Sequence, residues 1–242
     1  MSKQGPHGIS WTDRTWNPTT GCTKVSDGCA NCYAERMAKR LQAMGCAKYR
    51  NGFKVTLHPE TLEEPLHWKK PQRVFVDSMG DLFHEAVPTG FVHSAFDAIR
   101  RANRHVFQVL TKRAIRMSGF AADDWPVNLW AGVTVEDAQT QERVNYLRLI
   151  PAPVRFLSLE PLLGPMGDLN LEGIHWVIVG GESGPGARPM KMEWVREIRD
   201  KCVVAQVPFF FKQWGGVRRR AAGRELDGRT WDEMPDQREV TA

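Results

Sequence analysis

Residues 154 to 182, VRFLSLEPLLGPMGDLNLEGIHWVIVGGE, hold two nearly continuous apolar runs, VRFLSLE (154 to 160) and IHWVIVGGE (174 to 182), each ending on a glutamate. Runs of this kind, as opposed to alternating ones, mark strands buried on both faces of a parallel sheet. The same style recurs in RVFVDS (73 to 78), VFQVLTK (106 to 112), LWAGVTV (129 to 135) and PFFFKQW (208 to 214). Lys54-Val55-Thr56-Leu57 is a shorter run, and Ile9-Ser10-Trp11 a weak eighth. Helical patterns over 31 to 44, 89 to 102, 137 to 149 and 193 to 205 lie between the runs. Strand and helix alternating along the whole length imply βα units. With seven or eight units, the sequence predicts an α/β fold, a (β/α) barrel, complete or partial and TIM-like, with an open doubly wound sheet as the alternative.

At 242 residues and 42% apolar content the chain can bury a sizeable core. No composition shift marks a boundary within residues 1–216, read as one barrel domain. Residues 217–242 read as an extension, because RELDGRTWDEMP (224 to 235) centres on Asp227-Gly228, a hairpin signal. No stretch approaches the roughly 20 apolar residues of a membrane span, and the N-terminus lacks the apolar core of a signal peptide, so a cytoplasmic location is expected. The net charge of +5 permits a nucleic-acid partner without requiring one. Its basic clusters are short: 67 to 70, Arg100-Arg101 with Arg104, and Arg218-Arg219-Arg220.

In barrels and open α/β sheets, chemistry gathers at the carboxyl ends of the strands. The apolar runs end in Asp77, Ser78 and Asp81; in Thr111 and Lys112; in Thr134, Glu136 and Asp137; in Ser158 and Glu160; in Gly180, Gly181, Glu182 and Ser183; and in Lys212, Gln213 and Trp214. Turn-forming Asp, Ser and Gly need no reason beyond the turn. Glu160, Glu182 and Lys212 carry more, since a charge emerging from an apolar strand must be paired, hydrogen-bonded or at work. GGESGPGAR (180 to 188) lacks the spacing of a standard nucleotide motif and reads as a loop whose backbone comes close to a ligand. The candidate cofactor contacts are therefore Asp77, Ser78, Glu160, Gly180, Gly181, Glu182 and Lys212.

GCTKVSDGCANCYAERMAKR (21 to 40) supplies the candidate metal ligands Cys22, Cys29 and Cys32, spaced C-x6-C-x2-C. Five cysteines make a poor disulfide framework for this length, and a tight trio suggests metal or redox chemistry. Asn31 reads as the N-cap of a helix whose apolar face is Tyr33, Met37, Leu41 and Met44, with Cys32 in its first turn. If that helix stops at Gly45, Cys46 lies roughly 20 Å from Cys32 at about 1.5 Å per residue. Cys202 sits in the last helical pattern, where an inert buried thiol is expected. Three ligands with an open position then remain, and three cysteines in a loop after the first strand point to an iron-sulfur cluster with one free iron.

That arrangement resembles the radical S-adenosylmethionine superfamily, whose pattern is C-x3-C-x2-C; here the first gap is six residues and the aromatic Tyr33 follows the last cysteine. Along nearly its whole length the chain is similar to the phage-associated three-cysteine-motif proteins, through TWNPTTGCTKVSDGCANCYAERMAKR, FLSLEPLLG, VIVGGESGPGARPM, FFFKQWGG and LDGRTWDEMP. The resemblance implies a 4Fe-4S cluster on the three cysteines and S-adenosylmethionine on its open iron, cleaved to a 5'-deoxyadenosyl radical. It also implies an electron donor of the reduced flavodoxin or ferredoxin type, and suggests a nucleotide, nucleic acid or modified base as substrate. Trp11, Trp16, Trp130 and Trp214 are candidates to stack bases or to fill the barrel. The competing reading is a non-enzymatic module in which the trio, with His58 or Cys46, binds zinc and the protein recognises nucleic acid or a protein. A zinc hydrolase fits less well, because the seven histidines are scattered and only His84 lies near strand-end carboxylates.

Overall fold

The computed structural model describes residues 9–122, 125–217 and 222–236. The apolar runs form the strands of one sheet: β1 (Arg14–Trp16), β2 (Arg73–Val76), β3 (Val106–Thr111), β4 (Leu129–Thr134), β5 (Arg155–Leu159), β6 (Trp176–Gly180) and β7 (Phe209–Gln213). All pair in parallel, and their spatial order is their order in the chain. The sheet curls into a seven-stranded half barrel. Among the described residues β1 and β7 do not pair, so the barrel is partial and not closed.

Among the described residues five α-helices accompany it: α1 (Tyr33–Ala43), α2 (Thr89–Arg101), α3 (Ala114–Ser118), α4 (Glu142–Arg148) and α5 (Met192–Val204). Side chains alternate across each strand, and the two faces bury different things. Toward the helices lies the main core, where Val74, Val76, Phe107, Val109, Leu157, Val177, Phe209 and Phe211 meet helical residues such as Phe96, Ile99, Leu147 and Ile198. A separate cluster, containing no helical residue, joins Phe75, Trp130, Phe156, Trp176, Ile178 and Phe210 with Trp11. This second cluster fills the lower part of the concave face, with Trp11 seated edge-on against Phe75 at 4.7 Å and Trp176 at 6.1 Å between ring centroids.

Four expectations need correction. The first strand is Arg14–Trp16 and not Ile9–Trp11, because Trp16 is the residue that enters the main core, its indole N–H donating to the Thr61 carbonyl at 2.8 Å, while Trp11 plugs the barrel. Lys54–Leu57 does not join the sheet. Only Thr56–Leu57 is extended, and it pairs antiparallel with Thr19–Thr20, both of its residues half-exposed where a sheet strand would be buried on two faces. The helix expected over 137–149 is interrupted: Asp137 accepts from the Gln139 and Thr140 N–H groups and closes a short 3-10 turn, after which α4 starts at Glu142. Finally, the N-cap position of α1 falls on Cys32, which makes no side-chain cap bond, and not on Asn31, whose side chain is engaged elsewhere; at the other end the helix does stop before Gly45, at φ +75°.

Glu225–Leu226 and Arg229–Thr230 form an antiparallel hairpin around Asp227-Gly228, both at positive φ. Leu226 and Trp231 enter the main core, and the Phe211 N–H donates to the Trp231 carbonyl at 2.9 Å, so this segment runs along the free edge of β7 and covers it. The basic cluster Arg218-Arg219-Arg220 lies outside the described residues. Among the described residues no helix is long and apolar enough to cross a membrane.

Gly132 in β4 lets the Phe156 ring lie flat across the concave face, because a Cβ there would collide with that ring. Gly132→Ala is expected to destabilise the protein by about 1–3 kcal/mol through overpacking, measured as a lowered urea midpoint with an unchanged slope.

Candidate functional site

Because every strand runs the same way, their carboxyl ends share one edge, and the cysteine loop leaves β1 at that edge. Two buried carboxylates bond the loop directly, and a third reaches it through an arginine. Glu136, 1% exposed after β4, accepts from the Ser26 hydroxyl at 2.7 Å and is paired with Lys112 at 3.2 Å and Arg143 at 3.1 Å. Gly28 lies so close to this carboxylate that a Cβ would collide with it. Glu182, after β6, accepts from the Arg188 Nε–H at 3.0 Å, Nη2–H at 2.7 Å and backbone N–H at 2.9 Å, and from the Asn31 amide at 3.0 Å. Arg188 also donates to the Asp27 carbonyl at 2.9 Å, and Asn31 to the Gly186 carbonyl at 2.9 Å. The GGESGPGAR loop is thus strapped to the cysteine loop. Burial opposes ionisation of Glu182, but the bonds from Arg188 and Asn31 outweigh it and bring the carboxyl down to about 2.

The third carboxylate is Asp81. It accepts from the Thr111 hydroxyl at 2.8 Å and from Arg113 at 3.1 Å, and Arg113 in turn donates to Cys22 Sγ at 3.3 Å. Burial pushes the Cys22 thiol up to about 11, with Asp81 adding to the effect and Arg113 opposing it. All three loop cysteines are free and half-buried, Cys46 is exposed at the far end of α1, and Cys202 is buried. Among the described residues no three His, Cys, Asp or Glu side chains converge closely enough to hold a single metal ion. Ligands of an iron-sulfur cluster do not need to converge on one atom, since each thiolate binds its own iron, and a set of three soft sulfur donors suits that group. His58, the suggested additional zinc ligand, is buried against Thr20 at 2.8 Å and Glu60 at 3.4 Å.

The other candidates fall into two sets. Asp77 is fully buried at φ +54° and turned to Thr19, whose N–H and hydroxyl bond its two oxygens at 2.9 and 2.6 Å. Ser78 bonds Asn17 through its hydroxyl at 3.1 Å, and its carbonyl accepts from the Tyr33 hydroxyl at 2.5 Å. Both brace the chain around the cysteine loop. Glu160 and Lys212 form the second set: Lys212 Nζ donates to both Glu160 oxygens at 2.7 Å. By the alternation of side chains these two share the concave face with Lys112, Thr134 and Ser158, above the aromatic cluster. Gly180 leaves room for the Glu160 carboxyl, and Gly181 for the Trp214 carbonyl, so both glycines serve close approach. Trp11, Trp16 and Trp130 are buried fillers and present no ring to a base.

Several residues escape sequence reading. Ser26, Asn31, Arg143 and Arg188 act through partners distant in the chain or in a loop, and no local pattern marks them. Arg113 had a usable signal, a charge just after an apolar run, the same signal that singles out Lys212. Gln108 is a further one: it is wholly buried on the concave face, and neither its amide nitrogen nor its amide oxygen has a hydrogen-bond partner.

A family model matches residues 7–235. The chain belongs to DUF5131. That family is described as a protein of unknown function, and its match takes in the cysteine loop, every strand of the sheet and the hairpin. No curated protein matches this DUF5131 member by sequence. Among solved structures, a cysteine-to-serine mutant of spore photoproduct lyase is similar at TM-score 0.47 and 9% identity, over 75% of this chain and 58% of that one. A spore photoproduct lyase complexed with dinucleoside spore photoproduct gives 0.44 and 10%, over 68% and 54%. A double mutant with bound AdoMet and the dinucleoside gives 0.46 and 9%, over 74% and 58%. The chain thus spans little more than half the length of these structures.

Two outcomes follow from the buried polar groups. Burial lifts the Asp77 carboxyl to about 7 against the two Thr19 bonds, with Asp81 adding to the rise. The folded protein therefore holds this proton in a range where the unfolded chain, near 3.9, has lost it. The stabilisation is complete below about pH 4 and is lost as pH rises to about 7. In urea titrations at several pH values, the stability of the native protein relative to Asp77→Asn should fall across that window and level off above it. Gln108→Leu, which removes two unpaired polar atoms from the interior, should raise stability by about 1 kcal/mol, or roughly 2–4 °C in Tm, by calorimetry.

Proposed function

We propose that this chain is a radical S-adenosylmethionine enzyme. The observation that carries the reading is the loop Cys22–Cys32. It places three free thiols at the carboxyl edge of a parallel half barrel, held there by the carboxylates of three different strand ends. Cys22, Cys29 and Cys32 would hold a 4Fe-4S cluster, and with S-adenosylmethionine bound beside it the cluster would supply one-electron reductive cleavage of the sulfonium.

The chain's own residues prepare the space next to it. Trp11, Phe75, Trp130, Phe156, Trp176 and Phe210 close the lower concave face and keep water from reaching the site from below. The Glu160–Lys212 and Glu136–Lys112 pairs line the upper part, where each can present an ammonium or a carboxylate to the amino, carboxylate or hydroxyl groups of cofactor and substrate. Asp77, Ser78, Gly180, Gly181 and Glu182 shape and brace the walls. Gln108 offers a donor and an acceptor from within the concave face.

Partners follow from charge. Residues 22–54 contain seven Lys or Arg (24, 36, 39, 40, 48, 50 and 54) and two acids (Asp27 and Glu35), a balance of +5 that equals the net charge of the whole chain. Next to the cysteines, α1 buries only Ala34 and Ala38 and exposes Tyr33 and Met37, with Met44 exposed at its end. Such a face suits an acidic one-electron donor of the reduced flavodoxin or ferredoxin type, whose encounters are small and steered by charge. The same positive balance favours a nucleotide, nucleic acid or modified base as substrate.

Purified without oxygen and reconstituted with iron and sulfide, the protein should show the charge-transfer absorption of an iron-sulfur cluster and release 5'-deoxyadenosine when given S-adenosylmethionine and dithionite. Cys22→Ala, Cys29→Ala and Cys32→Ala should each lose the cluster and at least 100-fold of that release, whereas Cys46→Ala and Cys202→Ala keep both. Zinc at unit stoichiometry with no iron uptake would overturn the proposal.

A further inference from the structure

Arg113 directly follows the run that forms β3, and it is 6% exposed. A buried guanidinium has five N–H groups, each needing an acceptor. All five have one. Nε–H donates to Glu85 at 2.8 Å; Nη1 donates to Asp81 at 3.1 Å and to Cys22 Sγ at 3.3 Å; Nη2 donates to the Thr23 carbonyl at 3.2 Å and to the Thr23 hydroxyl at 2.9 Å. The surroundings hold the fork in place. Thr111 accepts from the Arg113 backbone N–H at 2.9 Å and gives its own hydroxyl proton to Asp81. His84 accepts the Ala86 N–H on Nδ1 at 3.0 Å, so its proton sits on Nε2 and points to the Thr23 hydroxyl at 2.9 Å.

This network distinguishes one sulfur from the other two. Among the described residues Cys22 is the only one of the three loop cysteines with a cationic donor; Cys29 has the Ser26 hydroxyl at 4.0 Å. A hydrogen bond and a positive charge at a ligand sulfur stabilise the electron-rich form of an iron-sulfur centre, and the effect is larger where water is excluded. We propose that Arg113 sets the reduction potential of the metal centre on the cysteine loop through its N–H···S bond to Cys22, raising the potential and so easing entry of the electron. Arg113 acts here as a positioning residue, through Cys22 and not on substrate. The inference rests on the iron-sulfur reading of the loop. Lysine is not an equivalent, because one ammonium cannot reach Glu85, Asp81, Cys22 and Thr23 from a single nitrogen.

The test compares reconstituted wild type, Arg113→Gln, Arg113→Lys and, as a control that spares the sulfur contact, Glu85→Gln. Iron content, thermal midpoint and an EPR-monitored redox titration without S-adenosylmethionine are recorded for each. Arg113→Gln should make reduction at least tenfold less favourable, a midpoint lower by about 59 mV for one electron. Arg113→Lys should show a smaller shift of the same sign, and Glu85→Gln none of that size. A loaded Arg113→Gln cluster with an unmoved midpoint overturns the inference while leaving the functional reading intact. If Arg113→Gln fails to fold because Asp81 loses its partner, Arg113→Lys decides: it keeps the charge and loses the fork, and an unmoved midpoint there is equally fatal. Wild-type protein that takes up no iron overturns the functional reading, and this inference with it.

Discussion

Three carboxylates buried at strand ends, Asp81, Glu136 and Glu182, govern the placement of the cysteine loop. A buried carboxylate without a partner costs several kcal/mol, so each demands a cation, and each arrangement also reaches into residues 22–31. Asp81 holds Arg113, which holds Cys22 and Thr23. Glu136 holds Lys112 and Arg143 and takes the Ser26 hydroxyl. Glu182 holds Arg188 and Asn31, and Arg188 grips the Asp27 carbonyl. The loop is fixed at three points around its length by side chains that could not relax without stranding a charge.

Those three points can exist together only because the sheet is parallel and its strands follow chain order. That topology turns every carboxyl end to one edge and brings residues more than a hundred positions apart, such as Ser26 and Glu136, within hydrogen-bond reach. The opposite end of the concave face is closed by aromatic side chains, with Trp11 as the plug. Polar groups on that face, the Glu160–Lys212 pair above all, therefore meet solvent or ligand from the upper side only. The site is made by the same alternation of side chains that makes the core.

The fold was readable wherever a run was apolar on both faces. β2 to β7 appear in the sequence almost at their true bounds, and Gly45 marks the end of α1 as its position suggests. Reading failed where a segment is short and its role depends on a distant partner. RTW becomes β1 because Trp16 finds the core, and KVTL stays outside the sheet because it pairs with Thr19–Thr20. In the site, Glu160, Glu182 and Lys212 stood out as charges at the ends of apolar runs. Their partners did not, since nothing local shows that Lys212 closes on Glu160 or Arg188 on Glu182. Asn31 is instructive: a good N-cap by type, it serves Glu182 instead and leaves the N-cap position to Cys32.

The sequence alone determined the class of fold, the edge at which the strand-end polar residues gather, and the close spacing of three cysteines in one loop, because periodicity, strand-end polarity and spacing are local properties of the chain. Only the tertiary structure decided that, among the described residues, the barrel stays open, that Trp11, Trp130 and Trp176 fill its lower part, and that Cys22 alone of the three loop sulfurs faces a guanidinium. Those outcomes depend on which buried charges compensate one another, and that is settled when distant strand ends come together at one edge of the sheet.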